Sequence, residues 1–353
     1  MTIPNAAPPE TGDLIAVSPS PPTPPLRRGA LAGGRSMAAG IPMRLVRSRP
    51  LLLVVLILLL SAYMTIEYPQ SFPTFSNFSA VLLNAAQYGI LVVGTAVLMI
   101  GGAFDLSIGS TLALCGVVAG QLIAIDGFPT PIGIALALVA GCIAGLVNGL
   151  IVTKVRINPL IATLATQGIF RGITQLISGT GIDQISNSFA TVGQTVWFGL
   201  QTPFWVMLVI VVAGSWAVGQ TRFFRQYYYV GGNERAARLS GMKTDRLILI
   251  AFVLMGFLAG VAGVLNAARL DAAVVSAGIG VELQVITAAV LGGASLKGGE
   301  GTVPGAFLGV LFIALVQNAL IILNVDVFWQ NIVIGSVLLL AVSLDRWKHV
   351  SRK

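Results

Sequence analysis

The stretch Leu91–Leu114 constrains this chain more than any other part of its sequence. It reads LVVGTAVLMIGGAFDLSIGSTLAL, an apolar run that Gly101 and Gly102 interrupt and that carries a single acid, Asp105. The charge-poor segment extends from about residue 79 to residue 125. As one helix it would be about 70 Å long, roughly twice the ~30 Å hydrocarbon core of a bilayer. It must therefore fold as two membrane spans joined at the glycine break, and a carboxylate there indicates a protein-lined interior or a pathway.

Composition places the rest of the chain in the same environment. Only 10% of the 353 residues are charged, 56% are hydrophobic, and the mean hydropathy is +0.88, whereas a soluble domain carries about 25% charged residues. The predicted fold is therefore all-α, a polytopic transmembrane helix bundle. Cys115 and Cys142 lie inside apolar spans and are predicted to be structural. The one histidine, His349, lies in the basic C-terminal tail, so we expect no histidine-based active site, metal cluster or cofactor.

Three regions follow one another along the chain. Residues 1–49 hold nine of the seventeen prolines without hydrophobic periodicity, which predicts a disordered Pro-rich cytoplasmic tail. Residues 50–347 form the transmembrane region, and residues 348–353 form a basic cytoplasmic tail. The first apolar block begins too late for a signal peptide and is predicted to be an uncleaved span. We predict ten spans, the eighth short enough to be re-entrant: 50–66, 80–100, 107–125, 131–153, 158–178, 203–219, 247–267, 282–295, 302–323 and 328–344.

The positions of the basic residues predict the orientation in the membrane. With both termini inside, 19 of the 21 lysines and arginines fall in cytoplasmic segments, as the positive-inside rule requires. The two exceptions are Arg171, within a span, and Arg269, on the outer side. The net charge of +8 therefore reflects membrane topology. It indicates contact with membrane lipid, and no nucleic-acid partner is predicted.

The glycine break at residues 101–110 has two compatible interpretations. Asp105 or Ser107 could cap the free N–H groups of the following helix. Alternatively, the carboxylate could line a translocation route and face polar groups of a substrate. A weak internal echo links residues 101–106 with residues 292–296, which would fit a transporter built from repeated halves, although such glycine-alanine patterns also recur by chance.

The long polar segment Thr221–Arg246 is the second informative stretch. It contains six basic residues, three adjacent tyrosines and a predicted turn at residues 231–233, followed by a short predicted helix, Glu234–Leu239. Asn233 is a good N-cap and Gly241 a good C-terminal stop. Such a helix could lie in the interface with its basic residues on anionic lipid, or it could dock a soluble subunit.

Glycine spacing predicts close helix packing and excludes one kind of nucleotide site. Small residues recur every four positions in three spans, at Gly141, Gly145 and Gly149, at Gly256 and Gly260, and at Gly305 and Gly309. The segment Glu282–Gly305 runs from an apolar span into a glycine-rich turn that carries Lys297. A phosphate-cradling loop needs GxxxxGK[ST] ahead of a helix, and this pattern is absent from the chain. If transport is ATP-driven, the ATPase must be a separate polypeptide.

Four segments, in this order, resemble the permease subunits of the ribose-type ABC importers. They read GGAFDLSIGS at 101–110, NGLIVTKVRINPLIATLATQGIFRGI at 148–173, VGGNERAARLSGMKTDR at 230–246 and ITAAVLGGASLKGGEGTVPGAFLG at 286–309. That family covers ribose, xylose, arabinose and galactose uptake and includes autoinducer permeases. The resemblance runs from about residue 50 to residue 347, nearly everything except the Pro-rich tail.

The resemblance implies a homodimer or a heterodimer of permeases around a central pathway in a bacterial inner membrane. An extracytoplasmic sugar-binding protein would deliver a monosaccharide, and cytoplasmic ATP-binding subunits would drive alternating access, so the permease would have no catalytic residues. By similarity, the stretch expected to dock the ATPase comprises Asn233, Glu234, Arg238, Leu239, Ser240 and Gly241. The intramembrane motif comprises Asp105, Leu106, Ser107 and Gly109, and Gly101, Gly102 and Phe104 complete the break.

Two residues depart from the family pattern. Phe104 replaces a small residue before the aspartate, which bears on the pathway and on substrate identity. Phe224 stands where a glycine is expected, which bears on loop geometry at the ATPase interface.

A related alternative is a permease for branched-chain amino acids, nucleosides or autoinducer. A secondary carrier is a weaker alternative, because the chain offers mainly Asp105 as an intramembrane acid, with Arg171 and Glu282 as further candidates. A membrane enzyme is excluded by the lack of a clustered catalytic set.

Overall fold

The computed structural model describes residue 2, residues 49–326 and residues 329, 330, 332, 333, 335, 336 and 339. The chain divides into two units, Met1–Ile41 and Pro42–Lys353, and every element below belongs to the second. The predicted N-terminal tail lies almost wholly outside the described residues. So do most of the predicted span at 328–344, the tail at 348–353 and His349.

The described residues form a bundle of α-helices with very little sheet, which confirms the predicted fold class. The helices are α1 Arg49–Glu67, α2 Phe75–Ile100, α3 Ile108–Gly120, α4 Thr130–Leu150, α5 Pro159–Ser178, α6 Asn187–Gln194, α7 Thr202–Gln220, α8 Arg222–Gly232, α9 Glu234–Leu239, α10 Thr244–Leu270, α11 Val281–Leu291 and α12 Val303–Ile322. Short π-helical segments, Gln121–Ile125 and Ile151–Val155, extend α3 and α4. Two antiparallel pairs of two-residue strands complete the set: β1 Ile182–Asp183 with β4 Ala272–Ala273, and β2 Val196–Trp197 with β3 Leu200–Gln201.

Seven of the ten predicted spans are helices long and apolar enough to cross a membrane. They are Pro50–Glu67, Phe75–Ile100, Ile108–Ile125, Thr130–Val155, Thr202–Gln220, Thr244–Leu270 and Val303–Ile322. The chain is therefore a multi-pass membrane protein. The middle of the bundle is formed by α2, by α3 with its π-helical extension and by α10, whose most apolar windows are 67%, 72% and 61% buried, whereas that of α1 is 11% buried at the edge.

Two predicted spans differ from this pattern. The helix α5, at the predicted 158–178 span, has 20 residues but also threonines, glutamines and an arginine, so it is less apolar than the seven. The helix α11 covers only Val281–Leu291 of the predicted 282–295. Eleven residues rise about 17 Å, little more than half of a ~30 Å hydrocarbon core. It is too short to span alone, which agrees with the re-entrant alternative.

Small residues bring α4 and α10 into backbone contact, as the glycine spacing predicts. A Cβ atom on Gly145 would lie 2.2 Å from the carbonyl oxygen of Phe252, and one on Gly256 would lie 2.1 Å from that of Gly141. Any larger side chain at these positions would push the two helices apart. This crossing holds the start of α10, which follows the docking segment, close to the end of α4.

Candidate functional site

The break after α2 is a helix end built on a glycine with positive φ. Gly102 has φ of +81°, and the N–H of Ala103 donates to the carbonyl of Leu98 at 2.9 Å. This bond closes a Schellman-type C-terminus, which favours glycine at the left-handed position. Residues 292–294 after α11 make the same pattern of bonds. The internal echo in the sequence therefore reflects one kind of helix end used twice.

Asp105 is buried at the break and organises the turn into α3. Its side chain is 4% exposed, and its Oδ1 accepts hydrogen bonds from the N–H of Ser107 at 2.8 Å and from the Ser107 hydroxyl at 2.6 Å. Ser107 is the N-cap residue of α3 but makes no side-chain capping bond. The predicted cap by the Ser107 side chain is therefore wrong, because that hydroxyl bonds to Asp105 instead of to the first turn of α3. Asp105 accepts from one free N–H at the helix start, that of Ser107 itself.

A buried polar network connects this turn with α4 and α5. The Ser107 hydroxyl accepts from Asn148 Nδ2 at 2.8 Å, and Asn148 Oδ1 accepts from the Thr166 hydroxyl at 2.7 Å. The N–H of Leu106 donates to the Thr163 hydroxyl at 3.0 Å. Buried polar groups without such partners would be costly in an apolar bundle. The network therefore fixes the break relative to two neighbouring helices.

Close backbone contact at Gly109 brings a second buried acid to the break. A Cβ atom at this position would lie 2.0 Å from the carbonyl oxygen of Gly278 and 2.8 Å from Glu282 Oε2. Glu282 is 8% exposed, and its Oε1 accepts from Gln167 Nε2 at 3.1 Å. Its Oε2 has no hydrogen-bond partner among the described residues. Only glycine fits between α3 and this segment.

Arg171 and Phe104, which the sequence also singles out near the pathway, both make contacts that stabilise the fold. Arg171 on α5 donates to the backbone carbonyls of Val275 and Ala277 and so holds the segment that precedes α11. Phe104 is partly buried and packs against the main hydrophobic core.

The segment after α7 is helical where the sequence predicts a turn. Residues 222–232 form α8, and the glycines of the predicted turn at 231–233 are its last two residues. The hydroxyl of Tyr227 donates to the carbonyl of Leu247 at 2.9 Å, and that of Tyr228 donates to the carbonyl of Gly301 at 2.9 Å. Because these partners are distant in sequence, local patterns do not reveal the helix. Phe224 stacks on Tyr227 at 5.8 Å and so packs within α8.

The short helix that the sequence predicts at Glu234–Leu239 is confirmed at those bounds as α9, and its docking role stays a prediction. Asn233 caps it through Oδ1, which accepts from the N–H of Ala236 at 2.9 Å. Gly241 has φ of +83° and follows the helix end as predicted. The Ser240 hydroxyl donates to the carbonyl of Ala236 at 3.0 Å.

Charged side chains fix α9 to the start of α10. Arg238 contacts Glu234 at 2.6 Å and Asp245 at 3.1 Å, and it donates to the Thr244 hydroxyl at 3.0 Å. The hydrogen bond that Arg238 donates to Glu234, together with the charge of Asp245, holds the pKa of Arg238 above its ordinary value. The side chain of Leu239 at the end of α9 is 83% exposed. The helix thus presents an exposed leucine, and the preceding Arg238 lines a cavity of about 440 Å³ that also includes Lys154, Lys243, Arg246 and Asp245.

Three segments that are far apart in the sequence meet at one end of the bundle. A Cβ atom on Gly231 would lie 1.9 Å from the carbonyl oxygen of Ile100 and 2.6 Å from the N–H nitrogen of Gly299. That N–H donates to the Ile100 carbonyl at 2.9 Å. The break, α8 and the glycine-rich turn before α12 therefore share one backbone junction. We call Ile100, Gly231 and Gly299 the glycine junction.

Comparison with known proteins identifies the family to which this arrangement belongs. The family model described as the permease component of a branched-chain amino acid transport system matches residues 77–342, well over half of the chain. The chain belongs to this permease family. No solved structure matches it significantly.

Curated relatives match most of the permease. The ribose import permease protein RbsC of Escherichia coli is 36% identical over 302 residues, which are 84% of this chain and 93% of that protein. The L-arabinose ABC transporter permease protein AraH of Azospirillum brasilense is 35% identical over 332 residues, 94% and 96% of the two chains. The autoinducer 2 import system permease protein LsrC of Photorhabdus luminescens is 33% identical over 267 residues, 75% and 80%. The predicted resemblance is confirmed.

The structure places the two predicted sets of site residues in separate clusters of the permease. Asp105, Ser107 and Gly109 lie in the buried network, and Asn233 to Gly241 lie on and around α9. Among the described residues no hydrogen bond joins the two sets directly, and the segments that flank them meet at the glycine junction. Sequence reasoning missed the polar partners Asn148, Thr163 and Thr166. Part of their signal was available, since all three are polar residues inside predicted membrane spans within the quoted 148–173 segment, but their pairing with Ser107 and Leu106 depends on tertiary packing.

Proposed function

We propose that this protein is the permease subunit of a binding-protein-dependent ABC importer for a monosaccharide in a bacterial inner membrane. The observation that carries the proposal is identity of 33–36% to ribose, arabinose and autoinducer permeases across 75–94% of the chain. The family description names branched-chain amino acids, but the curated relatives cited above are sugar and autoinducer permeases. A sugar is therefore favoured over an amino acid.

The proposed partners follow from what the chain lacks and what it presents. It carries no phosphate-cradling motif, so ATP would be hydrolysed by a separate cytoplasmic ATP-binding subunit. An extracytoplasmic sugar-binding protein would deliver the substrate, and a second permease copy, identical or similar, would complete the pathway. The predicted orientation, with both termini inside, would put α9 in the cytoplasm, where the ATP-binding subunit would meet it.

The proposed docking role of α9 rests on the contacts that tie this helix to α10 and on the exposed side chain of Leu239. Arg238 ties the helix to α10 at two further residues, Thr244 and Asp245, so a force on α9 would move α10 as well. An exposed leucine next to a cavity with four basic side chains offers an apolar contact bordered by positive charge. These features suit a protein partner with an apolar groove and acidic surroundings.

The glycine junction would carry motion from the docking helix to the break. The helix α8 ends only one residue before α9, and its Gly231 lies directly on the backbone of Ile100 and Gly299. Movement of α9 toward or away from the bundle would therefore displace the end of α2 and the turn before α12. The buried network around Asp105 would transmit that displacement to α4 and α5.

Affinity purification tests the docking assignment. The tagged chain is isolated from native membranes in mild detergent, and its partners are identified by mass spectrometry. We expect a stoichiometric ATP-binding subunit with the wild-type chain and its loss from the Leu239→Glu variant. The exposed Arg235→Gln variant on the same helix serves as the matched control and should retain it. A wild-type chain that purifies alone after crosslinking would contradict the proposal and favour a secondary carrier.

A further inference from the structure

A polar cavity lies between α2, α7 and α10, at the opposite end of the bundle from α9. Its volume is about 200 Å³, well above the roughly 15 Å³ that one water molecule needs. Its lining residues on α2 lie ten or more positions before Ile100, about 15–25 Å along the helix from the glycine junction. In the predicted orientation this is the outer half of the permease, from which substrate would arrive.

Most of the polar side chains that line this cavity have no hydrogen-bond partner within the described protein. The lining includes Asn84, Gln87, Tyr88, Asn266 and Arg269. Among the described residues the side chains of the two asparagines, the glutamine and the arginine make no hydrogen bond or ion pair, whereas Tyr88 interacts with Gln284 of α11. Amides and a guanidinium that line one partly open cavity without protein partners are available to bind a polar molecule or ordered water.

The chemistry of these groups selects the kind of ligand. Amide side chains offer both donors and acceptors, and the guanidinium offers donors only. A neutral polyhydroxylated molecule can pair with both kinds, because each hydroxyl donates and accepts. An anion would pair with Arg269 but would face the amide oxygens of Asn84, Gln87 and Asn266. Apolar neighbours such as Leu83 and Leu265 would cover the carbon faces of a sugar ring.

We propose that this cavity is a monosaccharide-binding site in the outer half of the permease, with Gln87 and Asn266 as its main hydrogen-bonding residues. The inference rests on the proposed function and extends it, since it names the residues that contact the sugar before the break is reached. Tyr88 would connect the site to α11, because its partner Gln284 lies on that helix. Gln284 in turn accepts a hydrogen bond from Gln317 of α12 at 3.4 Å. Sugar in the cavity would thereby be connected, through Tyr88 and Gln284, to α11, the helix that leads to the glycine-rich turn.

Thiol protection tests the site directly. In the full chain with Cys115→Ala and Cys142→Ala, Gln87 or Asn266 is replaced by cysteine and labelled in nanodiscs with a water-soluble methanethiosulfonate reagent. Saturating D-ribose or L-arabinose should slow labelling at least fivefold at both positions. The Gln220→Cys variant, at an exposed position remote from the cavity, should label equally with and without sugar. Labelling that neither sugar slows, protection by inorganic phosphate alone, or cysteines that the reagent cannot reach would each overturn the proposal.

Uptake by the reconstituted importer separates this inference from the proposed function. With the ATP-binding subunit and the sugar-binding protein present, Asn266→Leu should lower uptake of the transported sugar about fivefold to tenfold, the usual effect of losing one or two neutral hydrogen bonds. If the Asn266→Leu variant takes up sugar as fast as the wild type, the proposed binding site is overturned while the proposed function stands. Sugar protection of the cysteines without any uptake by the wild-type complex would instead support the site and contradict the proposed function.

Discussion

At the scale of single residues, Asp105 shows how an acid is held in an apolar bundle without a basic partner. One oxygen accepts two hydrogen bonds from Ser107, whose hydroxyl is in turn bonded by Asn148. Hydrogen bonds to a buried charged group contribute more than those to neutral groups. The acid therefore shapes the turn into α3, whether or not it also faces the substrate.

Two substitutions distinguish a structural role of Asp105 from a role in the translocation pathway. The carbonyl oxygen of an asparagine can accept both bonds from Ser107, so Asp105→Asn should retain folding and at least half of the wild-type uptake. Asp105→Leu leaves a buried N–H and a hydroxyl without their acceptor, at a cost of about 1–3 kcal/mol each. It should lower both the melting temperature and uptake. Normal expression and melting of Asp105→Asn with abolished uptake would show that the carboxylate itself acts in the pathway.

A second prediction at the residue scale concerns the close packing at Gly109. A methyl group there would collide with the backbone of Gly278, and relief of such overpacking costs about 1–3 kcal/mol. Gly109→Ala should therefore lower the melting temperature in detergent by several degrees. Gly168→Ala on α5 is the control, because open space surrounds that position and alanine favours helix. Equal melting temperatures for the two variants would contradict the packing described here.

At the scale of elements, α9 and α8 show what local sequence can and cannot predict. The bounds of α9 are predicted correctly because its N-cap, Asn233, and its stop, Gly241, are local signals. The helix α8 is missed because paired glycines normally favour turns, whereas here tertiary contacts decide. Gly231 is helical where it packs on Ile100, and two tyrosine hydroxyls reach partners 20 and 73 residues away. The buried network escaped prediction for the same reason, since Ser107 and Asn148 are 41 residues apart.

The ion pairs of α9 give the prediction for this element. Glu234→Ala combined with Arg238→Ala removes the contacts to Thr244 and Asp245 but leaves the apolar spans unchanged. Exposed ion pairs contribute little to stability, so membrane insertion and the melting temperature should stay near wild type. Sugar uptake should fall at least fivefold because α9 is no longer fixed to α10. Arg235→Ala is the control, and uptake in the double variant equal to that of the control would contradict the docking role.

At the scale of the whole molecule, the glycine junction joins parts of the chain that no local pattern connects. Ile100, Gly231 and Gly299 come from three segments, and their backbones touch. The sequence predicts α2 and α12 and singles out each segment, but it predicts neither α8 nor this meeting point. The reason is physical, since the junction depends on how α2, α8 and α12 pack, and loop closure over such separations leaves no periodic signal.

Two adjacent glycines test whether the junction transmits motion. Gly231→Ala would place a methyl group 1.9 Å from the Ile100 carbonyl, whereas Gly232→Ala would meet nothing within 4 Å. In the reconstituted complex we expect Gly231→Ala to reduce sugar uptake per ATP hydrolysed at least fivefold while the ATPase subunit still binds. Gly232→Ala should behave like wild type. Equal coupling ratios for both variants would show that the junction is only a packing contact.

The central claim is that this permease imports a monosaccharide at the expense of ATP hydrolysed by a partner. ATP-dependent uptake tests it most directly, in proteoliposomes that contain the chain with its ATP-binding subunit and sugar-binding protein. Radiolabelled D-ribose, L-arabinose and L-leucine are compared with and without ATP. We predict accumulation of at least one sugar only when ATP is present, and none of leucine. Accumulation of leucine alone, or sugar entry that does not depend on ATP, would contradict the account.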